Sequence, residues 1–157
     1  MHTEPRSVSA GLIACGIALG LDQITKVIVV ANASTFSGSV PLFTGISLVY
    51  VQNDGVSFGI FGGTAPGLLI ALSIAVSLWL LAMMIQTRNQ IEAAGYGMIL
   101  GGALGNVIDR VRYGAVTDFI DLYVGTWHWP AFNLADTSIF CGVALFISAA
   151  YLENRST

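Results

Sequence analysis

Four long apolar stretches, at about 8–31, 65–85, 93–110 and 132–152, limit what this chain can become. A helix that crosses the hydrocarbon core of a bilayer needs about 20 mostly apolar residues, with a range near 17–25. The second and fourth stretches meet that requirement cleanly. The first is long enough but carries Asp22 and Lys26. The third is Gly-rich, apolar only to Ile108, and runs on through Asp109 and Arg110. Composition agrees: 55% of the residues are hydrophobic and 10% charged, against roughly 25% charged in a soluble domain. The sequence therefore predicts an all-α membrane protein, a four-transmembrane-helix bundle forming a single domain over residues 1–157.

The first stretch also has some features of a cleaved leader, with Arg6 as a basic flank and Leu12-Ile13-Ala14-Cys15 as a lipoprotein-type cleavage box. The apolar run continues past Cys15 to Val30, beyond the point where a signal peptide ends, so it reads as a retained helix. Cys15 and Cys141 both sit inside apolar runs, as buried thiols rather than a disulfide framework. A net charge of −3 and six scattered basic residues exclude nucleic acid as a partner. Orientation follows from Lys and Arg near the span ends. Arg6, Arg88 and Arg155 fall on one side of a four-span chain, and the loop at 32–64 has neither residue type. Both termini are expected in the cytoplasm. Arg110 and Arg112 then lie on the outer side, against the rule, and are expected to be held by local partners.

Gly97, Gly101 and Gly105 recur every four residues and share one face of the third helix. Small residues let helices approach closely in lipid, so this helix is expected at the centre of the bundle. The outer loops carry structure of their own. Residues 46–52 are β-branched and aromatic, Asn53-Asp54-Gly55 is a turn sequence, and 56–61 is apolar again, the pattern of a hairpin. A small sheet on the outer membrane surface is expected, with Tyr123, Trp127 and Trp129 in the interfacial belt.

Charges inside a bilayer cost at least about 2.5–3.5 kcal/mol each and are usually paired or functional. Here they converge at one depth. Asp22 and Lys26 lie in the outer half of the first helix. Asn106, Asp109 and Arg110 end the third on the same side, and Asn133 and Asp136 begin the fourth there. Asp118 and Asp121 fall in the loop joining the last two helices, and Asn53 in the other outer loop. The only histidines are His2 and His128, and there is no HExxH, which argues against a zinc site. Neither a nucleophile elbow nor a base near either cysteine is present. Carboxylate chemistry remains, in which two aspartates share a proton.

Pairing narrows the choice. Asp22 and Lys26, four apart on one helical face, are expected to neutralise each other. Asp109, beside Arg110, suggests a second structural ion pair, and Asp54 a turn cap. Asn133 is a candidate N-cap of the fourth helix, and Asp136 is favourably placed near that helix N-terminus. Asp118, Asp121 and Asp136 are left without an assigned cation. Spacing does not choose between Asp118 and Asp121.

Five segments, in order, resemble the lipoprotein signal peptidases (signal peptidase II). They are Leu21-Asp22-Gln23-Ile24-Thr25-Lys26, Asn53-Asp54-Gly55-Val56-Ser57-Phe58-Gly59, Gly101-Gly102-Ala103-Leu104-Gly105-Asn106-Val107-Ile108-Asp109-Arg110, Gly114-Ala115-Val116-Thr117-Asp118-Phe119-Ile120 and Phe132-Asn133-Leu134-Ala135-Asp136. Val56 departs from the pattern, where the family more often has alanine; the change narrows the substrate cradle and touches no catalytic position. The resemblance implies an intramembrane aspartic endopeptidase of the bacterial inner membrane. It would remove the signal peptide of a diacylglyceryl-modified prolipoprotein, cleaving before the lipidated cysteine. By motif position Asp118 and Asp136 would be the catalytic pair, and Asp121 lies outside the family's core pattern. Asn53, Asn106, Arg110 and Asn133 are candidate substrate contacts, with Asp22, Lys26 and Asp109 as structural support. No metal or other cofactor is expected, and the partners are the prolipoprotein and membrane lipids. The rival readings are a small proton-coupled transporter or channel and a non-catalytic scaffold. A transporter predicts charges at several depths, which the second span and the inner halves of the others lack.

Overall fold

The glycines of the third long helix decide how the bundle assembles. The computed structural model describes residues 7–55 and 66–155. Over these the order is α1 (Val8–Ala31), a one-turn α2 (Ala33–Phe36), β1 (Val40–Phe43), β2 (Ile46–Asn53), α3 (Pro66–Gln86), α4 (Gln90–Tyr113), β3 (Val116–Val124), β4 (Trp127–His128) and α5 (Leu134–Arg155). Helices α1, α3 and α4 are long and apolar enough to cross a membrane, and α5 carries a shorter apolar stretch, Leu134–Ala149. Leu12, Ile13, Ile17, Leu21, Ile24 and Ile28 of α1 are all more than half exposed. An apolar surface of that extent on a helix suits hydrocarbon rather than water.

Helix α4 lies between α1, α3 and α5. A Cβ added at Gly97 would sit 2.0 Å from the Gly11 carbonyl oxygen, and one at Gly101 would sit 2.5 Å from that of Cys15. These two glycines let the backbones of α1 and α4 touch. A second glycine face, which the four-residue spacing did not reveal, meets α5. There a Cβ at Gly102 would lie 2.4 Å from the Ala135 oxygen, and one at Gly95 would lie 2.9 Å from that of Gly142. Gly97→Ala should therefore force the two backbones apart, at a cost of about 1–3 kcal/mol or more. Thermal unfolding in detergent would measure the loss, and an unchanged midpoint would contradict the close approach.

Local chemistry fixes the ends of α4. The Asn89 side chain accepts the N–H groups of Ile91 and Glu92 at the start. At the other end Gly114 takes a left-handed φ of 75°, with Arg110 and Arg112 in the last turn beside the free carbonyls. The Ser7 hydroxyl donates to the Thr87 carbonyl and the Thr87 hydroxyl to Glu92, which also accepts from Tyr96 Oη at 3.1 Å. This clasp joins the start of α1, the end of α3 and the start of α4, at the end of the bundle remote from the sheet.

The four strands form an antiparallel sheet in the order β1-β2-β3-β4. The strand expected at 46–52 is present as β2, lying between β1 and β3. The turn before it is made by Gly45, at φ 89°. The hairpin partner expected at 56–61 lies outside the described residues. Asp118 and Asp121 are not in a loop, as the sequence reading placed them, but in β3. The run Val-Thr-Asp-Phe-Ile-Asp-Leu-Tyr-Val is rich in β-branched and aromatic residues, which favour a pleated strand. Its side chains alternate between faces, so two residues three apart point to opposite sides.

Candidate active site

Five elements bring their polar side chains together where α1, α4 and α5 meet β2 and β3. The base of the site is a buried ion cluster. Lys26 Nζ lies 2.9 Å from Asp22 Oδ2 and 3.2 Å from Asp109 Oδ2, with all three side chains almost fully buried. Asp109 thus takes its cation from α1, not from the adjacent Arg110 as the sequence reading had it. Neighbours in sequence on a helix do not face one another. Asp109 also accepts the Thr117 N–H at 3.0 Å, which pins the start of β3 to α4. Asp22 Oδ1 accepts the Ala135 N–H at 2.9 Å and so satisfies one of the free donors at the start of α5. Gln23, to which the sequence reading gave no role, places its Nε2 within 3.3 Å of Asp22, Asp109 and the Gly105 carbonyl. Its position next to Asp22 was the available clue.

Above this base sit two carboxylates held by amides. Asn133 and Asp136 form a reciprocal cap on α5. The Asn133 Oδ1 accepts the Asp136 N–H at 2.9 Å, and Asp136 Oδ2 accepts the Asn133 N–H at 3.2 Å. The Asn133 Nδ2 donates to Asp118 Oδ1 at 2.7 Å. Asp118 Oδ2 accepts from Asn53 Nδ2 at 2.9 Å. Asn106 Nδ2 donates to Asp136 Oδ1 at 2.9 Å, while its Oδ1 accepts from Lys26 Nζ at 2.9 Å. Asp118 and Asp136 are therefore both bonded to Asn133. Together with Asn53, Gly55, Asn106, Arg110 and Val116 they line one cavity of about 150 Å³. That is room for water and a small part of a substrate. Among the described residues Arg110 forms no ion pair within 4 Å, yet its charge acts on Asp136 first, then on Asp118 and Asp109.

Electrostatics separate the two aspartates that spacing could not. Asp118 is 2% exposed. Burial, helped by the charge on Asp136, lifts its carboxyl to about 6 against the hydrogen bonds from Asn53 and Asn133. Burial also acts to raise Asp121, but hydrogen bonds from His128 and Ser47 outweigh it and hold that carboxyl below its ordinary value. Asp121 lies on the opposite face of β3. It accepts from Ser47 Oγ at 2.8 Å and meets His128 Nδ1 at 2.9 Å, away from the cavity. Asp54 is exposed and does not line the cavity.

Apolar helices around a carboxylate pair, one member buried and the other half-buried, define a membrane protein with a site suited to acid–base chemistry. Comparison with known proteins gives the family. The family model for signal peptidase (SPase) II matches residues 14–152. The lipoprotein signal peptidase of Anaplasma phagocytophilum (strain HZ) is 40% identical over 148 residues, covering 93% of this chain and 94% of the relative. That of Escherichia coli (strain K12 / DH10B) is 36% identical over 145 residues, covering 89% and 88%. A bacterial membrane enzyme solved by the in meso method at 2.3 Å matches with a TM-score of 0.87 at 27% identity, covering 100% of this chain and 96% of that one. The chain belongs to the signal peptidase II family and is a bacterial membrane protease.

Proposed function

We propose that this protein is an intramembrane aspartic endopeptidase that removes the signal peptide from diacylglyceryl-modified prolipoproteins, cleaving before the lipidated cysteine. The observation that carries this reading is the placement of Asp118 and Asp136 on one small cavity, linked through Asn133. The pair holds one proton. Its ionised member removes a proton from a water as the water oxygen bonds to the scissile carbonyl carbon. Its neutral member gives its proton to the carbonyl oxygen. On collapse of the tetrahedral intermediate that proton returns to its donor, the carbon–nitrogen bond breaks, and the first carboxyl protonates the leaving amine. Asn53, Asn106, Arg110 and Asn133 contact the substrate backbone or lipid head, and Asp22, Lys26 and Asp109 support them. The residues act without a metal.

In this reading the whole chain, 1–157, is one domain with four spans, α5 being the fourth, in the bacterial inner membrane. Both termini are cytoplasmic, and the sheet cradles substrate at the outer face. A reporter fused at either terminus should read cytoplasmic, and one in the loop near Ser37 external. Opposite signals would separate the site from its substrate.

The decisive experiment is cleavage of a lipid-modified lipobox peptide by the purified protein. The rate should follow a bell in pH. It falls at low pH as the base is protonated, and again at high pH as the acid loses its proton. The upper limb should lie above the roughly 4 of a free aspartate, near the value of about 6 to which Asp118 is lifted. Chelators should leave the profile unchanged. A chelator-sensitive rate, or no cleavage of any lipidated peptide, would count against the reading.

A further inference from the structure

The amides around the two carboxylates take their orientation from groups outside the pair. Asn133 Oδ1 accepts the Asp136 N–H, so Nδ2 is the end that meets Asp118. Asn106 Oδ1 accepts from the Lys26 ammonium at 2.9 Å, a group with donors and no acceptor, and from Asn133 Nδ2 at a longer 3.2 Å. The Nδ2 of Asn106 is therefore the end presented to Asp136. Turning that amide over would set its carbonyl against a carboxylate and its NH2 against the ammonium. Lys26 cannot drift away, being 3% exposed and held between Asp22 and Asp109.

Asp136 thereby accepts one N–H on each oxygen. It also sits in the first turn of α5, where the helix dipole favours negative charge. Arg110 acts on it more strongly than on Asp118. Asp118 likewise accepts one N–H on each oxygen, but it lies on a strand, away from any helix N-terminus, and is more deeply buried. We propose that Lys26 is a positioning residue of the dyad: by fixing the Asn106 amide it keeps a donor on Asp136, which makes Asp136 the ionised base and Asp118 the holder of the proton. This rests on the peptidase reading. The upward displacement of Asp118 to about 6 agrees with it.

Among the described residues, the charged groups facing this region are Asp22 and Lys26 of α1, Asp109 and Arg110 of α4, Asp118 of β3, and Asp136 itself. Lys26 lies against two carboxylates, and its charge also favours the ionised form of Asp118. Its influence on Asp136 passes through the amide.

The test is the pH profile of kcat/KM for the double substitution Lys26→Met with Asp22→Asn. It removes one charge of each sign, leaving the local net charge unchanged, and Asn at 22 still accepts the Ala135 N–H. Losing the donor destabilises ionised Asp136, so the acid limb should move up by about one pH unit, and by more than the upper limb, which rises only through the lost Lys26 charge. Asn106→Leu keeps the ion cluster intact and should move the same limb the same way, which covers the case of a double variant that does not fold. Infrared spectra taken across a pH titration should show a protonated-carboxyl band that is lost in Asp118→Asn and persists in Asp136→Asn, where it ends at a lower pH because the Asp136 charge no longer lifts Asp118. A lower rate with both limbs in place for both variants would make Lys26 purely structural and overturn the proposal. The reverse behaviour of the infrared band would overturn it too. Full activity with either aspartate replaced would remove the dyad, and with it the peptidase mechanism as well as this role for Lys26.

Discussion

Asp118→Asn and Asp136→Asn each lower cleavage by about 10²–10⁴-fold, the usual contribution of a general acid or base, while the chain stays folded and inserted. Asparagine keeps the shape and one acceptor of the carboxylate, so the hydrogen bonds through Asn133 and Asn53 survive in part. What is lost is the ability to take up or release a proton. The double substitution should be little worse than either single one, because one shared proton needs both members. Asp121→Asn should retain most activity, since Asp121 meets Ser47 and His128 on the other face of β3. Single-turnover cleavage by purified variants, matched for thermal unfolding, measures all four. An essential Asp121 beside a dispensable Asp118 would move the chemistry to the wrong side of the strand and sink the assignment.

Lys26→Ala has its largest effect on stability, a loss of about 3–5 kcal/mol, the usual result of breaking a buried ion pair from one side. It strands Asp22 and Asp109, both almost fully buried. The charge left on Asp22 sits beside the Ala135 N–H, so the start of α5 is disturbed as well. Adding Asp22→Asn removes the stranded charge and should recover part of the loss. Unfolding in a graded denaturant or detergent series reads the difference. A Lys26→Ala protein of unchanged stability would show that the cluster is not the buried unit described here.

The helices were legible because lipid imposes one requirement, length in apolar residues, that a sequence displays openly. The convergence of Asp22, Asn106, Asn133 and Asp136 followed from the same requirement, since alternate span ends meet at one face. The choice between Asp118 and Asp121 did not follow while both were read as loop residues. Treated as a strand, Val116–Val124 separates them at once, because an odd spacing sends side chains to opposite faces. Attention to the carboxylates hid the alternation around them. The Asp109–Arg110 pairing failed for a similar reason: adjacency in sequence was taken for adjacency in space. Lys26, 83 residues away, is the group that reaches Asp109, and nothing local in the sequence reveals that contact. Strand β1, four residues with a proline in it, carries too little pattern to be read without its partner β2.

The glycine faces of α4 have a consequence for how this enzyme can vary. Where backbone meets backbone, the relative heights of α1, α4 and α5 are set without side chains between them. A Cβ at Gly105 would lie 2.4 Å from Asp22 Oδ2, so even the ion cluster depends on a methyl group that is missing. Residues facing away from these contacts, such as Leu12, Leu72 and Phe140, are more than half exposed and hold nothing in register. Such positions can exchange one apolar side chain for another of different bulk as the surrounding lipid changes in thickness or fluidity. The alignment of Asp118 with Asp136 is insulated from that drift, and adaptation to a new membrane need not pass through the geometry of their cavity.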